Sequence, residues 1–307
     1  MKHSVNFFII FICISTTLAQ KKHQREIIDT HFHAMSFNSF GFPPPPNEMT
    51  GNIPKSKSDS EVLHTMLRVL RDNNIVLAIT SGTLQRVKDY KDADPQRIYS
   101  AILIGLSNPL PDTSRFLQLI KEGTIRVFGE ILIQYEGKTL ADSSLEPYLT
   151  ICERLNIPVA IHASLGPPGI AYIFPKFRTS IGNPQLFEDV LVKHPKLKVQ
   201  LMHMGYPYLE ETKAILQNYK QVYVDISVVD WVDPVGEFYN YLKALITAGF
   251  ENRLMYGSDQ AVWEDAIPLS IRNIENAPFL TEEEKEDIFF NNAVRFFNLK
   301  NVLPLRH

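Results

Sequence analysis

The strongest constraint on the fold is an alternation. Eight short runs rich in β-branched and apolar residues recur along the chain: Glu26–His33, Ile75–Thr80, Ile98–Ile104, Ile125–Ile131, Pro158–His162, Lys198–His203, Val222–Ile226 and Arg253–Gly257. Segments with helical spacing of apolar residues separate most of them: Asp59–Asn73, Thr113–Lys121, Leu145–Leu155, Pro184–Lys193, Tyr208–Asn218 and Gly236–Ala248. In the first, Val62, Met66, Val69 and Leu70 fall on one face, with Ser58 or Asp59 placed to cap it. Gln85–Asp94 is the weakest of these helical patterns, because it carries few apolar residues. Strands that alternate with helices build a parallel sheet. Eight such units predict an α/β fold of the (β/α)8 TIM-barrel type. An open doubly wound sheet is the competing architecture, but no G-x-G-x-x-G follows an early strand and no G-x-x-x-x-G-K-[ST] is present.

Before these units, Lys2 and His3 precede the apolar run Val5–Ile14, and small or polar residues follow as far as Ala19. That order describes a secretory signal peptide over residues 1–19, with residues 20–307 forming one barrel domain. The run is too short to span a bilayer, which takes about 20 apolar residues. The expectation is therefore a secreted or periplasmic protein without a stable membrane anchor. Of the two cysteines, Cys13 would leave with the signal peptide and Cys152 lies in an apolar helical pattern. No disulfide framework is possible in the mature chain. The 31 basic residues against 34 acidic ones give no electrostatic footprint for nucleic acid.

Four histidines end predicted strands: His31 and His33 in IIDTHFHA, His162 in IPVAIHA and His203 in KVQLMHMG. Asp259 follows the eighth strand in LMYGSDQ. Residues two apart on a strand share a face, so Asp29, His31 and His33 are predicted to point into the barrel, with Ile28, Thr30 and Phe32 toward the helices. His23, His64, His194 and His307 fall in tails, a helix or a helix end and read as ordinary residues. Imidazoles gathered at the C-terminal ends of several strands, beside a carboxylate, form a donor set for a borderline divalent metal such as Zn²⁺.

In these residues the sequence resembles the amidohydrolase superfamily, and within it the amidohydrolase-related branch of decarboxylases and dicarboxylate lactonases. The likeness runs from the H-x-H of the first strand through VYVDISVV and LMYGSDQ to the closing segment IFFNNAVRFFNL. It implies that His31, His33, His162 and Asp259 hold one divalent metal, often zinc, and that His203 contacts the substrate or the attacking water. Binuclear relatives commonly place a carboxylated lysine on strand four, whereas VFGEILI carries Glu130 there. Glu130 could bridge a second metal, hydrogen-bond to the histidines or serve as a salt-bridge partner, and GEI is also similar to TatD-like nucleases. Asp29 and Asp225 read as partners of the ligands' outward ring nitrogens.

The resulting expectation is a secreted hydrolase that uses metal-activated water on a small, carboxylate-bearing ester, lactone or amide. Asp259 would both ligate and act as base. The alternatives are a decarboxylase of a carboxylated aromatic or unsaturated acid, a TatD-like nuclease, and a non-catalytic ligand-binding barrel. The partner is a small-molecule substrate, with homo-oligomerisation left open. Tyr172, Lys176 and Arg178 after strand five, and Trp231 after strand seven, are candidates to line a site for a planar or acidic substrate.

Overall fold

β1 (Ile27–His33) is buried along its whole length, which is what a strand at the centre of a barrel requires. The computed structural model describes residues 25–106 and 108–303, so the segment read as a signal peptide, with Cys13, lies outside the described residues. β2 (Ile75–Ser81), β3 (Ile98–Ile104), β4 (Val127–Ile131), β5 (Val159–His162), β6 (Val199–Met202), β7 (Val222–Asp225) and β8 (Leu254–Met255) follow in parallel, each paired with its predecessor. The Thr30 amide donates to the Tyr256 carbonyl (2.9 Å) and the Asp259 amide to that of His31 (2.7 Å), joining the last strand to the first. The architecture is the predicted (β/α)8 barrel.

Helices occupy the predicted intervals. Asp59–Asp72 starts at Ser58, whose hydroxyl accepts from the Glu61 amide (3.2 Å), and the weakly patterned segment folds as Leu84–Ala93 behind a Thr83 cap. Pro184–Lys193 splits into a 3₁₀ turn over Pro184–Phe187 and a helix over Glu188–Lys193. Among the described residues no helix is long and apolar enough to cross a membrane.

Most strands differ from their predicted bounds by one or two residues at an end. His203 (φ 61°) takes a left-handed backbone conformation, so β6 leaves the ladder where it delivers this side chain, and Asp259 (φ 44°) shares that conformation four residues beyond β8. Such conformations cost roughly 1–3 kcal/mol each and persist where surrounding structure fixes them. Met204, Val228 and Ala261 share this backbone sign, so the strain collects at the C-terminal ends of β6, β7 and β8.

Strict alternation along β1 is broken. The register slips between Ile27 and Ile28 and again between Asp29 and Phe32, and Ile28 packs with the barrel-interior residues Leu77, Ile79, Ala101 and Met202, not with the helices as predicted. Asp29 pairs with Ala78, which belongs to the layer between sheet and helices. His31 and His33 remain on the interior face. The floor of the barrel is completed from the C-terminal segment, where Phe290, Ala293, Phe296 and Phe297 join the interior cluster.

Candidate metal centre

Glycine backbone lets the ligands approach. A Cβ on Gly129 (φ 148°) would collide with the Ala160 carbonyl, so only glycine allows β4 to lie against β5 immediately before Glu130. Gly257 runs beneath His31, where a Cβ would stand 2.7 Å from that of the histidine.

Above these glycines, Nε2 of His31 and Nε2 of His33 are 3.2 Å apart. Oδ1 of Asp259 lies 3.0 Å from His33 Nε2 and 3.7 Å from His31 Nε2. Oε2 of Glu130 lies 3.2 and 3.5 Å from the same two nitrogens. Ligand bonds of about 2.0–2.2 Å put the donor atoms of a tetrahedral ion about 3.3–3.6 Å apart, and those of an octahedral ion about 3.0 Å apart. The measured separations fall in and around these ranges, so the two imidazoles and two carboxylates have the dimensions and chemistry of a divalent-cation site. His31, Glu130 and His203 form a second, overlapping group of donor atoms.

His162 and His203 adjoin the other oxygen of Glu130, at 2.9 and 3.7 Å. Nδ1 of His162 is 2.9 Å from Glu130 Oε1, and Nε2 of His203 is 3.0 Å from that same Nδ1. Thus the five sequence-predicted residues His31, His33, His162, His203 and Asp259 come together, and Glu130 is their hub. His162 reaches the His31–His33–Asp259 group through Glu130.

The ionisable groups of the cluster set one another's charge. Burial would lower His31, but Asp259, Glu130 and Asp225 override it and raise its pKa well above the ordinary imidazole value. Burial would likewise raise Glu130, yet the His31 charge and hydrogen bonds from the histidines hold it well below the usual carboxylate range. His162 moves the other way, lowered by burial and by neighbouring His203. The Asp259 side chain retains 18% exposure against 0–4% for His31, His33 and Glu130, which makes it the member of this donor group that opens to solvent.

Buried polar side chains hold the set from behind. Asp29 accepts from the Ser258 amide (3.0 Å), the Ser258 hydroxyl (2.6 Å) and the His31 amide (3.0 Å), and its burial pushes its pKa up to about 6. Gln260 accepts from the His33 amide (3.1 Å) and donates to the His33 carbonyl (2.8 Å), clamping β1 to the segment that carries Asp259.

The four substrate-lining candidates are not gathered here. Tyr172 is 91% exposed, and Lys176 is exposed as well. Arg178 turns its guanidinium back onto the carbonyls of Pro175 (2.8 Å) and Phe177 (2.6 Å) in its own loop. Trp231 is buried and donates its indole N–H to the Ser258 carbonyl (2.7 Å), bracing the residue before Asp259. The ring beside the cluster belongs instead to Tyr135, whose centroid is 5.6 Å from that of His162 and which packs against Phe174 and Phe177. Leu103 and Leu132 complete this apolar wall. Tyr135 lies four residues beyond β4, on the face where barrels carry their sites. Position, more than residue type, was the signal available for it.

The family profile described as Amidohydrolase matches residues 28–299. The chain belongs to the amidohydrolase family. No curated protein sequence matches it. Among solved structures, this amidohydrolase is similar to a probable 2-pyrone-4,6-dicarboxylic acid hydrolase from Acinetobacter baumannii, with 18% identity and a TM-score of 0.62, over 89% of this chain and 99% of that one. It is also similar to 2,6-dihydroxybenzoate decarboxylase from Rhizobium, with 14% identity and a TM-score of 0.61, over 90% and 99% of the two chains. A third, 5-carboxyvanillate decarboxylase from Novosphingobium aromaticivorans, was crystallised with manganese; it shares 16% identity at a TM-score of 0.61, over 91% and 97%. At these identities the likeness speaks for the fold. The family is one of metal-dependent enzymes, and this member carries a donor group able to hold the ion.

Proposed function

We propose that this amidohydrolase is a metal-dependent hydrolase that adds water to the carbonyl of a small ester, lactone or amide. The observation that carries the reading is the set of separations, 3.0–3.7 Å, among His31, His33, Asp259 and Glu130. In this reading these four residues hold one divalent ion, and His162 approaches the site through Glu130. A cation bound there supplies Lewis acidity, polarising a carbonyl and lowering the pKa of water.

The protein's own groups then divide the proton work. Asp259, open to solvent on one side, accepts the proton of the attacking water as general base. His203, whose Nδ1 stands 4.0 Å from Asp259 Oδ2, holds the nucleophile in line. The apolar wall of Tyr135, Phe174 and Phe177 favours a planar, largely apolar body beside the reacting carbonyl. Export, read from residues 1–19, remains part of the proposal.

Decarboxylation is the second reading, favoured by the two decarboxylases among the similar structures. Metal-loaded protein offered lactones, aryl esters, amides and aromatic carboxylic acids separates the two. Hydrolysis without CO₂ release, lost in Asp259→Asn, is the expected result. CO₂ release from an aromatic acid with no hydrolysis of the other substrates overturns it in favour of a lyase.

A further inference from the structure

Ser227, fully buried two residues beyond β7, touches two of the clustered histidines at once. Its Oγ lies 2.8 Å from Nδ1 of His31 and 3.1 Å from Nδ1 of His203. The same hydroxyl also reaches Oδ1 of Asp225. A serine hydroxyl has one hydrogen to give and two lone pairs to receive with. Asp225 is saturated with donors: the Ser227 amide (3.1 Å) and the His203 amide (3.1 Å) on Oδ1, and Gln200 Nε2 (2.6 Å) on Oδ2. Such a carboxylate is an acceptor only, so the hydroxyl hydrogen goes to Asp225. Both imidazoles are then left to donate.

We infer that Ser227 is a positioning residue that fixes the proton on Nδ1 of His31 and of His203 together, leaving both Nε2 lone pairs facing the donor cluster. The inference deepens the proposed metal centre and rests on that reading for its effect on affinity. A ligating histidine usually gives its outer N–H to one carboxylate, carbonyl or water of its own. Here one hydroxyl serves two rings and passes their polarisation to one acid, and the Ser227 carbonyl, 3.2 Å from Nδ1 of His203, is a further acceptor for the proton on that ring. Ser81, 2.9 Å from Nδ1 of His33, stands in the matching place for the third ring.

The test uses the full chain labelled with ¹⁵N-histidine and loaded with Zn²⁺. Long-range ¹H–¹⁵N spectra report which ring nitrogen carries the proton, and chelator competition reports Zn²⁺ affinity. The unsubstituted protein is expected to show protonated Nδ1 on both rings. Ser227→Ala is expected to lose the single tautomer of His31, whose Nδ1 then keeps only Asp225 Oδ2 at 3.5 Å, and to bind Zn²⁺ about 10- to 100-fold more weakly, as loss of a ligand's outer partner does. Ser227→Thr, which keeps the hydroxyl, is expected to recover both signals. An unchanged tautomer pattern and affinity in Ser227→Ala overturns the inference. If the unsubstituted protein takes up no Zn²⁺, the metal reading fails by itself. The ring spectra of the metal-free protein then still decide the proton assignment: His31 there holds its second proton as well, and a ring that lacks Nδ1–H overturns it.

Discussion

Nδ1 of His162 lies 2.9 Å from one oxygen of Glu130, while the other oxygen of that carboxylate lies 3.2 Å from Nε2 of His33. One buried acid therefore joins the two halves of the histidine cluster. Its charge is held by those histidines against burial. Glu130→Gln keeps the shape and removes the charge. The expected outcome is a loss of divalent-metal affinity of at least about tenfold, comparable to loss of a ligand's partner, with an unchanged far-UV circular dichroism spectrum. Equilibrium competition with a chromogenic chelator measures it, and wild-type affinity in the variant would remove Glu130 from the ligand set.

Gly257 supplies a steric test of the same centre. An added Cβ meets that of His31 at 2.7 Å and that of Ser227 at 3.2 Å, and neither neighbour has room to move in a packed interior. Gly257→Ala should destabilise by about 1–3 kcal/mol, the range for overpacking, and should also deplete bound metal. Gly236→Ala is the control, since nothing lies within 4 Å of its added Cβ and it sits in the helix Val235–Thr247. It should leave the melting temperature level or slightly raised. Equal losses in both variants would count against the close approach at Gly257.

The sequence carried the barrel because eight apolar runs and their spacers repeat a period that few folds share. Strand-end histidines were legible for the same reason, since strand position gives them a common face. What alternation could not give was the pair of register slips on either side of Ile28 and Asp29, which depend on how β1 meets β2 and leave Ile28 facing inward. The roles of Trp231 and Arg178 were equally hidden, because a loop's side chains are placed by tertiary partners, here the Ser258 carbonyl and two carbonyls of Arg178's own loop. For Glu130 the sequence allows three roles, and its contacts with the histidines bring it to the centre of the cluster.

Trp231 now yields a stability prediction. Trp231→Phe keeps most of the buried ring but leaves the Ser258 carbonyl without its indole donor. An unmade buried hydrogen bond costs about 1–3 kcal/mol. Urea unfolding should show that loss, with metal affinity changed little because the Asp259 amide still donates to His31. A variant as stable as the parent would mean that the carbonyl finds another partner.

Asp230 gives a pH dependence outside the donor cluster. It is fully buried between the short helix Val229–Val232 and the helix Ala266–Glu275, where Ser270 donates to Oδ2 and Oδ1 has no partner among the described residues. Burial, aided by the charges of Asp225 and Asp29, raises its pKa well above the ordinary value. Below the unfolded-state pKa of about 3.9 both states hold the proton, and Asp230 contributes no pH dependence. As pH climbs toward the folded-state pKa the unfolded chain ionises first, so this residue subtracts progressively more stability. Asp230→Asn retains an acceptor for Ser270 and cannot ionise. Its melting temperature should therefore exceed that of the parent by a margin that widens as pH rises from 4 to 8. A margin that stays constant, or shrinks, across that range would show that Asp230 is not held protonated by its surroundings.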